Sequence, residues 1–245
     1  MDTTVFIIIL LATVMHAIWN AMVKNHQDKV IAVLAIVLGH IPLALICIIY
    51  FPLPGKETLP YIVGSVIAHQ GYQWYMINSY KMGDYTNVYP IFRGFGPLLT
   101  TLISIIFFGV VFKITTLISI LFICLGIMVL GLFGSKIRNQ IEIIKYALIT
   151  GSFISFYSLI DGYGARVSTS AISYISFSFL FSAFLFPVIL KLNKHKNIFS
   201  RVFKDAKILF WVGGSLSFII YVIVVWGFTK APIPLVAALR ETSIF

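Results

Sequence analysis

Arg93 sits in residues 80–109, YKMGDYTNVYPIFRGFGPLLTTLISIIFFG, a run otherwise long and apolar enough to cross a membrane. A permanently charged guanidinium at bilayer depth costs at least ~2.5 kcal/mol on insertion scales, so it must face a protein interior, a partner or a water-filled cavity. The chemistry open to it there is to hold an anionic group, bidentately where that group is a carboxylate. Pro90 and Pro97 bracket it. Each removes a backbone donor, which predicts a kinked or broken helix whose freed carbonyls line a cavity. Helical spacing places Thr86, Tyr89, Arg93, Gly96 and Thr100 on one stripe, so Tyr89 is expected to line the same cavity.

Asp161, in SLIDGYGAR, is the ionisable group most deeply embedded in another apolar run. Desolvation favours the neutral form of a carboxyl, so Asp161 is either a proton carrier or a fixed counter-ion to an arginine. Arg240 and Glu241 are neighbours in the chain, and on a helix they would point apart and need separate partners. His16 and Asn20 lie one turn apart in the first apolar run. The third run carries Ser65, His69, Gln70, Gln73, Trp74 and Asn78, more polar groups than a lipid-facing helix holds, so several must point inward. For His16, Asn20, Gln70, Gln73 and Trp74 the competing role is plain helix-to-helix hydrogen bonding.

Other chemistries lack their residues. An intramembrane aspartyl protease needs two embedded aspartates sharing a proton, and Asp161 has no such mate, Asp84 falling at a helix edge. There is no HExxH, the five histidines are scattered, and no phosphate-binding loop is present. Cys47 and Cys124 lie in different apolar runs without ligand spacing and read as small buried hydrophobes. No cofactor, metal or catalytic residue is expected.

The elements that position these residues are membrane helices. With 60% hydrophobic and 11% charged residues and a mean hydropathy of +0.99, 245 residues have too little polar surface to cover a soluble globule. Candidate spans are residues 4–23, 30–51, 61–80, 87–108, 115–134, 146–165, 171–190 and 209–228, each near the ~20 residues a bilayer requires, with a ninth beginning near Pro234. The net charge of +10 is spread between spans rather than along one face, which argues for lipid contact and against nucleic acid. Cations concentrate in the connections after the first, third, fifth and seventh spans, including Lys136 and Arg138, against Lys56, Lys113, Arg166 and Lys230 on the other face. The positive-inside rule therefore places the N-terminus outside the cytoplasm. Residues 198–206 have the spacing of a short interfacial helix, a solvated basic loop being the alternative.

A repeat organises the spans. VYPIFRG around Arg93 is echoed by VAALRE around Arg240, 147 residues on (240 minus 93), and Asn20 by Asp161, 141 residues on (161 minus 20). Five spans per unit is odd, so the two units, residues 1–134 and 143–245, must be inverted across the membrane, with a site near the midplane between them. HAIWNAMVK, GDYTNVYPIFRGFGPLL and KAPIPLVAALRETS make essentially the whole chain resemble the EamA-type transporters of the drug/metabolite transporter superfamily.

That resemblance implies ten helices in two inverted five-helix halves. It also implies a secondary transporter of a small metabolite, amino-acid-like compound or drug, working by alternating access in the cell membrane. A flippase for lipid-linked substrates is the alternative on the same fold. Two departures stand out: Val110 follows FFG where such proteins often carry a Glu, and only five residues follow Arg240, whereas 41 separate Arg93 from Gly134 (134 minus 93). The expected architecture is thus all-α, with about eight full spans, a ninth begun and the second half incomplete. A non-functional truncated transporter is the third reading.

Overall fold

The structure, a computed structural model, describes residues 1–83, 85–133 and 140–244. Asp84, Lys136, Arg138, the close of the first repeat at residue 134 and Phe245 lie outside the described residues. Among those described, all regular structure is helical: α1 (Thr3–Asn25), α2 (Lys29–Gly39), α3 (Ile41–Tyr50), α4 (Leu59–Met82), α5 (Tyr85–Phe108), α6 (Ile114–Phe133), α7 (Gln140–Val167), α8 (Ala171–Leu192), α9 (Ile198–Asp205), α10 (Gly214–Lys230) and α11 (Ile233–Arg240). A π-helical turn, Leu209–Gly213, opens α10, and 3-10 turns precede α4 and follow α11.

Seven segments are long and apolar enough to span a membrane, and they carry large exposed side chains such as Leu11, Phe107 and Phe122 that only lipid could solvate. The chain is an all-α, multi-pass membrane protein. The one expected span missing from these seven is the third, α4, which is long enough at 24 residues but too polar in its side chains. Those polar groups point inward: Ser65, His69, Gln70 and Gln73 are all buried.

Polar caps begin the helices where water ends. Asp2 accepts from the Thr4 amide, Asp28 Oδ1 from the amides of Val30 and Ile31, and Ser170 from that of Ser173. At the C-terminus of α1, Lys29 Nζ donates to the carbonyls of Val23, Lys24 and His26.

Two spans show their detail only here. The second stands as one apolar crossing, Lys29–Tyr50, but its helix is interrupted at His40, because Pro42, at the start of α3, cannot donate back to the carbonyl of Leu38. Of the two forms expected for the fourth, a kinked or a broken helix, the broken one is overturned. α5 runs through Pro90 and Pro97 without interruption, held along its length between α6 and α7. A continuous helix keeps the remaining backbone groups paired inside a medium that offers them no water.

α7 lies between α4 and α5, while α1 packs on α10 and α3 on α8. Where α2 crosses α10, Gly39 faces Gly214 and the backbone of Phe210 so closely that a Cβ on either glycine would collide with backbone. This contact brings the α2–α3 break, and with it His40, to the centre of the molecule. α9 is a true helix: Ile198 and Val202 are buried on the rest of the protein, and Phe199 and Phe203 face outward.

Candidate functional site

Three helices present a stripe at the spacing i, i+3, i+4, i+7 to one central cavity of about 90 Å³: His16, Trp19, Asn20 and Val23 of α1, Val33, Ile36, Val37 and His40 of α2, and His69, Tyr72, Gln73 and Met76 of α4. Arg93 enters from α5 and Arg240 from α11. His69, Tyr157 and Tyr221 form the floor. The cavity extends along α4 from His69 to Tyr80, toward the end of the molecule that carries the α1–α2 connection. At its wall, His40 Nδ1, Gln73 Oε1 and Ser182 Oγ are buried without a hydrogen-bond partner, so polar capacity is open to an occupant.

The arginines do not each have their own acid. Arg93 Nε pairs with Glu241 Oε2, and Arg240 donates to Glu241 Oε1 from Nε at 3.1 Å and Nη2 at 2.9 Å. The expectation that Arg240 and Glu241 point apart is therefore wrong. α11 ends at Arg240 and passes into the 3-10 turn Glu241–Ile244, and the change of twist lets neighbouring side chains meet. Arg93 Nη2 donates to His16 Nε2 at 2.7 Å, a bond in which only the imidazole can accept, and its guanidinium lies 5.4 Å from the Tyr89 ring. Two guanidiniums thus share one carboxylate, all three groups being buried, which leaves a positive potential on the cavity wall.

Asp161 forms a second, separate cluster. It is fully buried, and among the described residues its ion-pair partner is His69 rather than an arginine. Its Oδ2 accepts from Tyr221 Oη at 2.6 Å and meets His69 Nε2 at 3.1 Å, and its Oδ1 accepts from Tyr174 Oη at 3.0 Å. Tyr174 Oη is also 3.3 Å from the carbonyl of Tyr61, near the start of α4. Along α4 the order is Tyr61, then His69 at the floor, then Tyr80, so Asp161 lies beneath the floor. His69 stacks on Tyr157 at 4.3 Å, and the Arg240 guanidinium lies 5.8 Å from the centre of that same ring.

Of the residues singled out in the sequence, the cavity gathers Arg93, Arg240, His16, Asn20, His69 and Gln73. Tyr89 lines a surface groove between α1 and α5 instead, together with Asn20, Lys24 and Ser243. Gln70 turns to the carbonyl of Ser182, 3.5 Å away, and Trp74 is half-buried off the cavity. Lower on the α5 stripe, Gly96 packs on Ile154 and Thr100 donates to Ser155, so that stripe serves α7 rather than the cavity. Sequence reading missed His40, Tyr72, Tyr157, Phe179 and Tyr221. The signal available was the placement of a histidine or tyrosine at the i+3 and i+4 positions of the apolar stripes.

No family model matches the sequence, and no curated protein matches it. The fold is similar to that of a solved crystal structure of a protein, with a TM-score of 0.69 over 99% of this chain and 84% of that one at 16% sequence identity. At that identity the likeness concerns the fold alone.

Proposed function

We propose that the chain is a secondary transporter of the EamA type, carrying a small metabolite with an anionic group by alternating access in the cell membrane. The observation that carries this reading is the central cavity with Arg93 and Arg240 on one wall sharing Glu241. Buried charge inside a membrane bundle is costly and lines substrate pathways. Aromatic side chains, among them Trp19, Tyr72, Phe179 and Tyr221, favour a substrate with a flat apolar body.

The inverted repeat belongs to the same proposal. It pairs α1 with α7 and α4 with α10, so the packing of α4 on α7 should recur as that of α10 on α1, and both contacts are present. The substrate would sit where the two units meet.

The flippase reading has one observation in its favour: Asn20 lines both the cavity and the α1–α5 surface groove, which would give a lipid-linked molecule lateral access. The experiment is uptake by proteoliposomes of radiolabelled amino acids, aromatic carboxylates and sulfonates, with wild type and Arg93→Ala side by side. Arg93-dependent uptake of a soluble anion supports the transporter. Uptake of none of them, with Arg93-dependent scrambling of a labelled polyprenyl phosphate, would favour the flippase.

A further inference from the structure

Asp161 is held in a cluster that satisfies it in two protonation states. As a carboxylate it accepts from Tyr174 and Tyr221 and faces His69 Nε2. A tyrosine hydroxyl has one hydrogen and two lone pairs. Tyr174 has a second acceptor within reach, the Tyr61 carbonyl at 3.3 Å. If its hydrogen turns there, its lone pair faces Asp161 Oδ1, and a protonated carboxyl donates across the same 3.0 Å. No backbone has to move and no buried polar group is left unpaired.

The charges give this arrangement a use. Among the described residues, the buried arginines and acids are Arg93, Arg240, Asp161 and Glu241, which sum to zero with the histidines neutral. A monoanion docked on the two guanidiniums makes the buried region net negative. A proton taken up beneath the floor restores neutrality, and in a low-dielectric interior the two events favour each other.

The groups facing Asp161 are few. α4 contributes His69, α8 Tyr174 and α10 Tyr221, while its own α7 contributes Tyr157. α5 and α11 bring Arg93 and Arg240 on the far side of the Tyr157 ring. The 3-10 turn before α4 brings Lys56 and Glu57, both exposed.

We propose that the His69–Asp161 pair binds one proton for each monoanion that Arg93 and Arg240 hold in the cavity above it. The inference rests on the transporter reading and adds to it a proton site, distinct from the anion site, and a stoichiometry of one to one.

The test uses the purified full chain in detergent and two readouts. The first is the infrared carbonyl stretch of a protonated carboxyl, followed with and without benzenesulfonate as the pH is lowered. The second is binding of benzenesulfonate, an aromatic monoanion that brings no proton of its own, read by quenching of tryptophan fluorescence at each pH. The wild type should show a carboxyl band that Asp161→Asn abolishes. Its affinity for benzenesulfonate should rise up to about tenfold per unit fall in pH, a slope that Asp161→Asn flattens.

If Asp161→Asn does not fold, Tyr174→Phe takes its place: binding should persist while the midpoint of the band moves, and an unmoved midpoint overturns the proposal. So does the absence of an Asp161-dependent band, or an unchanged pH slope in Asp161→Asn. Benzenesulfonate that fails to bind, or binds Arg93→Ala as well as wild type, while the band still titrates, sinks the anion-site reading and the stoichiometry built on it.

Discussion

Arg93 on α5 and Glu241 just beyond α11 form a buried ion pair, Nε to Oε2, across 148 residues of chain (241 minus 93). The other oxygen of Glu241 holds Arg240, so one carboxylate neutralises half of a two-guanidinium site and ties α5 to α11. Removing it should cost more than removing either arginine. Glu241→Gln leaves two buried cations without an acid and is expected to lose about 3–5 kcal/mol. Arg240→Met leaves the Arg93–Glu241 pair standing and should lose clearly less. Denaturant unfolding in detergent ranks the two, and an equal or smaller loss for Glu241→Gln would show that the arginines are compensated elsewhere.

The crossing of α2 and α10 depends on glycine. A Cβ on Gly39 would meet Phe210 O and Gly214 Cα, and one on Gly214 would meet Gly39 Cα and carbonyl carbon, all backbone atoms that no rotamer change can move. Ala is normally the better helix former by about 1 kcal/mol, yet Gly39→Ala and Gly214→Ala should each destabilise, by about 1–3 kcal/mol from overpacking. Thermal unfolding of each variant measures this. A stabilised Gly39→Ala would mean that the crossing is looser than the structure has it.

Seven of the eight spans were legible because an apolar run of bilayer length has few other uses, and the remaining one, α4, betrayed an inward face by its excess of polar residues. The break at His40 was half legible: Gly39, His40 and Pro42 were visible in the run, but the stop follows from Pro42 meeting the Leu38 carbonyl, which a hydropathy window averages away. Arg93 was found because charge in a greasy run is conspicuous. Tyr157 and Tyr221 were not, because a tyrosine in a membrane span looks like any other apolar residue until its neighbours are known. Pairing was hardest of all. Helical spacing separates Arg240 from Glu241, and the 3-10 turn that reunites them leaves little trace in the sequence.

The α1–α2 connection is clamped to α9. Asp28 Oδ2 accepts from Arg201 Nη2 at 2.6 Å, and His26 Nε2 lies 3.2 Å from the Asp205 carbonyl. Burial works against ionisation of Asp28, but the Arg201 hydrogen bond and the amides it caps outweigh this and hold its carboxyl below the usual range. A depressed carboxyl stabilises the fold above its ordinary value of about 3.9 and loses that contribution as pH falls through the lowered one. The pair is a third or more exposed, so the ionic contribution is about 0–1 kcal/mol. Asp28→Asn keeps a capping side chain and loses the charge. Unfolding followed against pH should show a small deficit at neutral pH that vanishes in acid, and a deficit that persists in acid would make the effect one of packing.

Orientation follows from the cations of that same end, where Lys24, Lys29 and the α8–α9 connection cluster. Lys196 is exposed there and lies between the two left-handed residues, Lys194 and Asn197, without being one of them. Lys196→Cys, with Cys47 and Cys124 replaced by Ala, should resist an impermeant thiol reagent in intact cells and react once the membrane is opened. Labelling in intact cells would reverse the topology.

Arg93→Lys separates charge from geometry. Arg93 reaches Glu241 through Nε and His16 through Nη2 while lying against Tyr89, and a single ammonium cannot make both contacts and still present a planar fork to an anion. Affinity for benzenesulfonate should fall about 10–100-fold, equivalent to about 1.4–2.8 kcal/mol, with near-normal abundance in the membrane. Arg93→Ala should abolish binding. It should still accumulate, because Glu241 keeps both hydrogen bonds from Arg240 and is not orphaned. Equilibrium binding and quantitative immunoblotting of both variants decide the matter. Lysine binding as tightly as arginine would make the site a point charge without bidentate recognition. Failure of both variants to accumulate would make Arg93 a structural counter-charge, with the anion held elsewhere.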